Sequence, residues 1–292
     1  MRFLVTGASG QLGAYLLREL SRRGATVRAW SGSRDGLLFG VPLVPVNLTD
    51  GAAVVTAFRS ARPDAVIHCA ALSSVAGCHR DPERAESVNV GATRLLAELA
   101  DEAGSRLLYV STDLVFDGEH GGSREEDPPA PLSVYGRTKA RAEEAVRRLA
   151  SGLVVRVSLL FGPTLIDRRS FFDEQLAALR EGRTCTLFSD EWRTPLSLPT
   201  AARALVALSE SGHAGVLHLG GPERMSRVEM GRRLAAFAGA DASVIVPALR
   251  GDVAAPEPRP RDVSLDSSRW RGLFPQQPWP TWEEALRETG TP

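Results

Sequence analysis

The most constraining stretch is the first thirty residues. Arg2-Phe3-Leu4-Val5-Thr6 reads as a buried parallel strand and runs directly into Gly7-Ala8-Ser9-Gly10-Gln11-Leu12-Gly13. An amphipathic run from Ala14 to Arg23 follows, with Leu16, Leu17 and Leu20 at helical spacing, and Gly24 closes it. Ala25 to Trp30 reads as a second strand. Strand, glycine turn, helix and strand in this order form the context of a dinucleotide fingerprint. Gly7 would turn the chain, Gly10 would admit a pyrophosphate to the backbone, and Gly13 would let the helix pack on the sheet. The helix N-terminus would offer its free N–H groups to the phosphates.

The alternation continues. Strands are expected at Leu43–Val46, Asp64–Cys69, Arg106–Val110 and Leu153–Leu160. Helices are expected at Gly51–Ala61, Glu83–Ala103 and Val134–Leu149. This predicts an α/β fold, a Rossmann-type doubly wound parallel sheet with helices on both faces. After Gly162-Pro163 the rhythm weakens. Helices are read at Phe171–Arg180, Pro199–Ser209, Ser226–Ala238 and Trp282–Thr289, and a strand at Val216–Leu219. The proline-rich residues 247–262 read as an extended loop. The expected organisation is a nucleotide-binding domain over 1–163, to which segments near 194–220 return, and a smaller α/β substrate-binding portion over 164–292.

Composition narrows the partners. Thirty-five basic residues balance 35 acidic ones, so a nucleic-acid or membrane-surface binder is not expected. The apolar run at the N-terminus is too short for a signal peptide or membrane span, and three cysteines form no disulfide framework. A cytoplasmic protein with free thiols is the expectation. The paired arginines, among them Arg168-Arg169, read as solvated helix faces. His68-Cys69 and Cys78-His79 resemble soft ligand pairs, but the first ends an apolar strand where small residues are needed, and no metal site is assigned. Trp270, Phe274, Trp279 and Trp282 read as core packing or a subunit contact.

Thirty-four of the 35 basic residues are Arg, and the single Lys, Lys139, lies four residues after Tyr135. On a helix these two share a face. A phenol ordinarily titrates near pH 10, and a neighbouring ammonium is expected to lower that value, allowing the phenol to exchange a proton with a carbonyl oxygen. Ser111-Thr112-Asp113 follows a predicted strand, at the end where parallel sheets bind ligands. After the second strand the chain reads Trp30-Ser31-Gly32-Ser33-Arg34, with no acid until Asp35. An NAD site usually carries an acid there, so Ser31 and Arg34 point to the 2′-phosphate of NADPH, with NADH as the alternative.

Thr6-Gly7-x-x-Gly10-x-x-Gly13, a strand-end Thr and Tyr135-x-x-x-Lys139 together resemble the extended short-chain dehydrogenase/reductase superfamily. Gly10-Gln11-Leu12-Gly13, residues 111–118, residues 135–139 and residues 259–266 resemble its dTDP-4-dehydrorhamnose reductase branch. The resemblance implies a catalytic triad of Thr112, Tyr135 and Lys139. Gly7, Gly10, Gln11 and Leu12 would hold the pyrophosphate and Asn47-Leu48 would flank the adenine. Ala70, Ala71 and Leu72 would line the ribose and nicotinamide. Thr112, Asp113 and Leu159 would touch the sugar, with Leu159 standing where the family has Trp. Arg193 and Arg259 are candidates for diphosphate contacts. The implied activity is NADPH-dependent reduction of a nucleotide-linked keto-deoxysugar, and a homodimer is the assembly considered. The alternatives are a nucleotide-sugar epimerase of the same superfamily and a non-catalytic NADP-binding regulatory subunit like that of methionine adenosyltransferase.

Overall fold

Leu4 faces one side of the first strand and Phe3 and Val5 the other, and each side has its own core. A computed structural model describes residues 1–290. The strands are β1 (Arg2–Thr6), β2 (Thr26–Ser31), β3 (Leu37–Leu38), β4 (Val41–Pro45), β5 (Ala65–His68), β6 (Arg106–Thr112) and β7 (Leu153–Val157). They continue as β8 (Leu160–Phe161), β9 (Cys185–Phe188), β10 (Trp192–Arg193), β11 (Leu196–Ser197), β12 (Gly215–Leu219), β13 (Met225–Ser226) and β14 (Ile245–Ala248). The helices are α1 (Gln11–Arg22), α2 (Gly51–Ala61), α3 (Val75–Arg80), α4 (Pro82–Ala85), α5 (Ala92–Glu102) and α6 (Val134–Arg147). Then come α7 (Phe171–Arg180), α8 (Leu198–Glu210), α9 (Arg227–Ala238), α10 (Ser268–Leu273) and α11 (Trp282–Glu288).

Eight strands form the main sheet in the order β12-β7-β6-β5-β1-β2-β4-β3, parallel except for the short β3 edge. The chain winds outward from β1 through β2 to β4, then restarts on the other side of β1 with β5, where Thr6 pairs with His68. That reversal opens a crevice at the carboxyl ends of the strands. Alternation along the strands supplies both layers. Phe3, Val5, Ile67, Val110 and Val155 pack on Leu16, Leu17 and Leu20 of α1 and Leu205 of α8. Leu4, Val66, Tyr109 and Val154 pack on Phe58 of α2, Leu96 of α5 and Val146 of α6. A third cluster joins Phe161, Phe172, Leu176, Met225, Leu234, Ile245 and Trp282 around the parallel pair β9–β14.

Three local readings are corrected. The helix expected over Glu83–Ala103 is broken into α4, a π turn at Glu86–Gly91 and α5. The wider turn places Asn89 where its side chain binds both backbone groups of Leu72, accepting at 2.8 Å and donating at 3.2 Å. The strand expected to Leu160 stops at Val157, where Ser158 turns to bind Asp113. The stretch read as a loop from residue 247 begins inside β14, whose pairing with β9 carried no sequence signal. The C-terminal aromatics are packing groups: Trp270 stacks on Phe274 at 4.5 Å, and Trp282 meets Phe161 at 4.2 Å. Among the described residues, no helix is long and apolar enough to cross a membrane.

Candidate active site

A cleft of about 880 Å3 lies over the strand tips at the switch point. Its floor is the glycine turn. Gly7 has φ of 68°, and a side chain there would sit 2.7 Å from the backbone nitrogen of Ala70. No side chain caps α1, so its N-terminus faces the cleft undischarged. Gln11 accepts a hydrogen bond from Thr164 at 3.0 Å, while its own Nε2 is buried without a protein partner. These features fit a pyrophosphate. Gly7, Gly10, Gln11, Leu12, Gly13, Asn47, Leu48, Ala70 and Ala71 all line the cleft. Leu72 does not, because its backbone is turned to Asn89.

Beyond the end of β2, Trp30, Ser31, Gly32 and Ser33 form the wall, and no carboxylate is among them. Buried Ser31 donates to the carbonyl of Arg34 and shapes the turn. The Arg34 side chain is exposed and lies off the wall.

Thr112 ends β6, and Tyr135 and Lys139 project from α6 into the same cleft. The helix starts where it does because Ser133 accepts from the N–H of Gly136 at 3.1 Å. Gly136 lacks a side chain that would come within 2.2 Å of the Leu114 carbonyl, so the strand end and Tyr135 can approach closely. The Thr112 hydroxyl, whose bonds run to Asp113 at 3.2 Å and the Leu114 N–H at 3.2 Å, lies beside the phenol and favours its ionised form, a weaker influence than burial. Lys139 is buried, donates to the Val110 carbonyl at 2.7 Å and sits 4.1 Å over the ring of Tyr109.

The expectation that the ammonium lowers the phenol's pKa is not met. Burial, followed by the Asp113 carboxylate, pushes Tyr135 above its ordinary value. Burial pushes Lys139 down to about 7, against the pull of Glu143. A phenol held protonated is suited to donating a proton rather than taking one. Asp113 is itself pushed up by burial, while Arg193 at 3.7 Å and Ser158 at 3.0 Å favour its ionised form.

The opposite wall carries residues the sequence did not single out. Glu191 lies 3.3 Å from Arg193 and 3.9 Å from Arg227. Arg227, first residue of α9, stacks on Phe171 at 5.2 Å and has a buried Nη1 without a partner. Arg84 and Arg168 also line the cleft, so Arg168 belongs to a loop at the site and not to a solvated helix face. Leu159 and Arg193 lie on the wall as expected. Arg259 does not: its guanidinium is drawn onto the ring of Phe188 at 5.0 Å.

Support beneath the site is polar and closed. His68 approaches Thr6 at 2.6 Å and Thr93 at 2.9 Å. Thr93 donates to the Asn89 carbonyl at 2.6 Å, so it accepts from the Nε2–H of His68, whose Nδ1 accepts from Thr6. Burial pushes His68 down to about 3, which keeps it neutral. Asn89 also donates to Thr138 of α6 at 3.0 Å. Cys69 and Cys78 are free and bond the carbonyls of Thr6 and Leu72. Among the described residues no cluster of three or more His, Cys, Asp or Glu could hold a metal.

Comparison with known proteins agrees with this geometry. The chain is 33% identical over 288 residues to dTDP-4-dehydrorhamnose reductase of Streptomyces griseus, covering 95% of this chain and 90% of that one. It is 32% identical over 275 residues to methionine adenosyltransferase 2 subunit beta of Danio rerio, covering 92% and 83%. A solved structure described as a hypothetical dTDP-4-dehydrorhamnose reductase of Sulfolobus tokodaii superposes with a TM-score of 0.84 at 31% identity, covering 96% and 97%. The family described as the RmlD substrate binding domain matches residues 1–291, and the chain belongs to that family.

Proposed function

We propose that the protein is an NADPH-dependent reductase of a nucleotide-linked keto sugar, with a dTDP-linked 4-keto-6-deoxyhexose as the preferred class. The observation that carries this reading is that Thr112, Tyr135 and Lys139 share one cleft with an uncapped dinucleotide turn. In this reading residues 1–163, with the 194–220 segment, hold the cofactor, and the remainder mainly holds the sugar.

The cofactor, when bound, supplies a hydride to the ketone carbon. Gly7, Gly10, Gln11 and Leu12 would hold its pyrophosphate, Asn47 and Leu48 the adenine, and Ala70 and Ala71 the nicotinamide side. Ser31 and Ser33 leave room for a 2′-phosphate, with Arg34 as its cation. Lys139 retains ammonium hydrogens beyond its bond to Val110 for the nicotinamide ribose. Thr112 orients the ketone oxygen. Tyr135 gives that oxygen its phenolic proton as the C–H bond forms, leaving an alcohol and a phenolate.

Charge supports an anionic substrate. The cleft wall carries Arg84, Lys139, Arg168, Arg193 and Arg227 against Asp113 and Glu191, in a chain of zero net charge. Arg193 and Arg227 are the proposed diphosphate contacts, with Arg227 replacing Arg259 in that role.

NADPH oxidation against dTDP-, GDP- and UDP-linked keto sugars tests the reading. Turnover with one sugar, abolished in Tyr135→Phe, is expected. The Danio rerio relative favours a second reading, a binding subunit. NADPH binding with no oxidation for any sugar, together with capture of a methionine adenosyltransferase, would select it.

A further inference from the structure

The N-terminus of the proton donor's helix is capped by a residue 123 positions further along the chain. Ser133 serves the third N–H of α6, at Gly136. The first, at Val134, donates at 2.8 Å to Oε1 of Glu257. Tyr135 lies between these two anchored amides. Glu257 is only 9% exposed, and Arg137 at 3.5 Å and His79 at 3.8 Å also face its Oε1. Its Oε2 is buried without a partner. Burying a carboxylate this way is unfavourable unless the bond to the helix repays it.

The segment bearing Glu257 is pinned at the substrate side of the cleft as well. Arg250 donates from its backbone to Asp190 at 2.8 Å and from Nε at 3.1 Å. The Trp192 N–H donates to the Arg261 carbonyl at 2.8 Å. Asp190 and Trp192 flank Glu191, which lies on the cleft wall. One stretch of chain therefore touches both the substrate wall and the first turn of the catalytic helix.

We infer that Glu257 is a positioning residue for the reduction: its bond to the Val134 N–H fixes the first turn of α6 and so the reach of the Tyr135 phenol. This rests on Tyr135 being the proton donor. The carboxylate acts through the helix and touches neither substrate nor cofactor.

The test compares Glu257→Ala, Glu257→Gln and Glu257→Asp in the full chain by steady-state kinetics, NADPH fluorescence titration and thermal melting. For Glu257→Ala, kcat falls about tenfold while NADPH affinity is unchanged, since a displaced phenol slows chemistry and not cofactor binding. Glu257→Gln keeps an oxygen acceptor for Val134 and recovers most of that loss. Glu257→Asp keeps the charge but withdraws it by one methylene, and is expected to be slow like Glu257→Ala. It supplies the reading if Glu257→Ala fails to fold. Normal kcat in Glu257→Asp, or a Glu257→Gln as slow as Glu257→Ala, overturns the inference. Tyr135→Phe is assayed alongside: normal turnover there refutes the proton-donor reading itself, whereas its loss with a normal Glu257→Asp refutes only the role of Glu257.

Discussion

Glu143 and Arg156 form a buried ion pair, Nη2 to Oε2 at 2.7 Å, one helical turn beyond Lys139. Arg156 Nε reaches both carboxylate oxygens, at 3.1 and 3.2 Å, and Ser111 donates to Oε1 at 2.5 Å. The remaining guanidinium nitrogen, Nη1, faces His218 Nε2 at 3.4 Å. His218 donates from Nδ1 to the Ser123 carbonyl at 3.0 Å, so its Nε2 is free to accept. Burial, aided by Arg156, pushes His218 down to about 4 and keeps it in that form. The network rivets α6 to β6, β7 and β12 beneath the site.

Removing one charge of this pair strands the other. Glu143→Gln is expected to destabilise the protein by about 3–5 kcal/mol. The double variant Glu143→Gln with Arg156→Met should lose clearly less, because no buried charge is left uncompensated. Urea unfolding of the parent, both single variants and the double variant checks this. A double variant as unstable as the sum of its parts would show that the two side chains are not coupled.

Lys139 gives a pH signature. Its folded pKa of about 7 lies below the ordinary lysine value of 10.5. Between these values the unfolded chain binds the proton and the folded chain does not, so stability rises with pH across that window. Below pH 7 both states carry the proton and the full burial penalty remains. Lys139→Met should remove this rise in cofactor-free protein. The check is the difference in unfolding free energy between the two proteins at pH 7 and at pH 10, and parallel pH curves would refute it.

Arg227 should discriminate between the two ligands. Arg227→Met is expected to raise KM for the nucleotide sugar about tenfold or more, through loss of a charged hydrogen bond, while KM for NADPH changes little. Arg259→Met should leave both constants near the parent values, since its side chain lies on Phe188. Steady-state kinetics with both substrates varied settle the pair. A larger effect from Arg259→Met would return the diphosphate contact to that residue.

The parts of the site that sequence made legible are those fixed by local chain geometry. The turn at Gly7 to Gly13 and the four-residue spacing of Tyr135 and Lys139 are properties of one strand end and one helix face. Thr112, two residues past its predicted strand, could be placed for the same reason. What stayed hidden depends on contacts between distant segments. Glu191 and Arg227 meet at one end of the antiparallel β10–β13 pairing, each pairing strand only two residues long, too short to leave a periodic pattern. Asn89 required the π turn at Glu86–Gly91, whose wider i→i+5 winding was read as part of one continuous helix. Arg259 failed as a site residue because its arginine was read by type alone, and the ring of Phe188 competes for the same guanidinium. Glu257, in a stretch read as loop, carries a role that only the fold assigns.

A tight backbone approach at the site concerns Gly136. A methyl group on this residue would sit 2.2 Å from the Leu114 carbonyl oxygen and 2.9 Å from Cβ of Pro131. Neither neighbour is the free end of a flexible side chain, so the helix itself must retreat from the strand tip. Gly136→Ala is therefore expected to destabilise the protein by about 1–3 kcal/mol. It should also lower kcat by more than its effect on NADPH binding, because Tyr135 precedes the displaced residue while the glycine turn at Gly7 is untouched. In a solvated helix the same substitution would be mildly stabilising. Thermal melting and NADPH titration together distinguish the two outcomes: a variant that melts higher with unchanged kcat would mean that the contact between α6 and the Leu114 turn does not govern the position of the phenol.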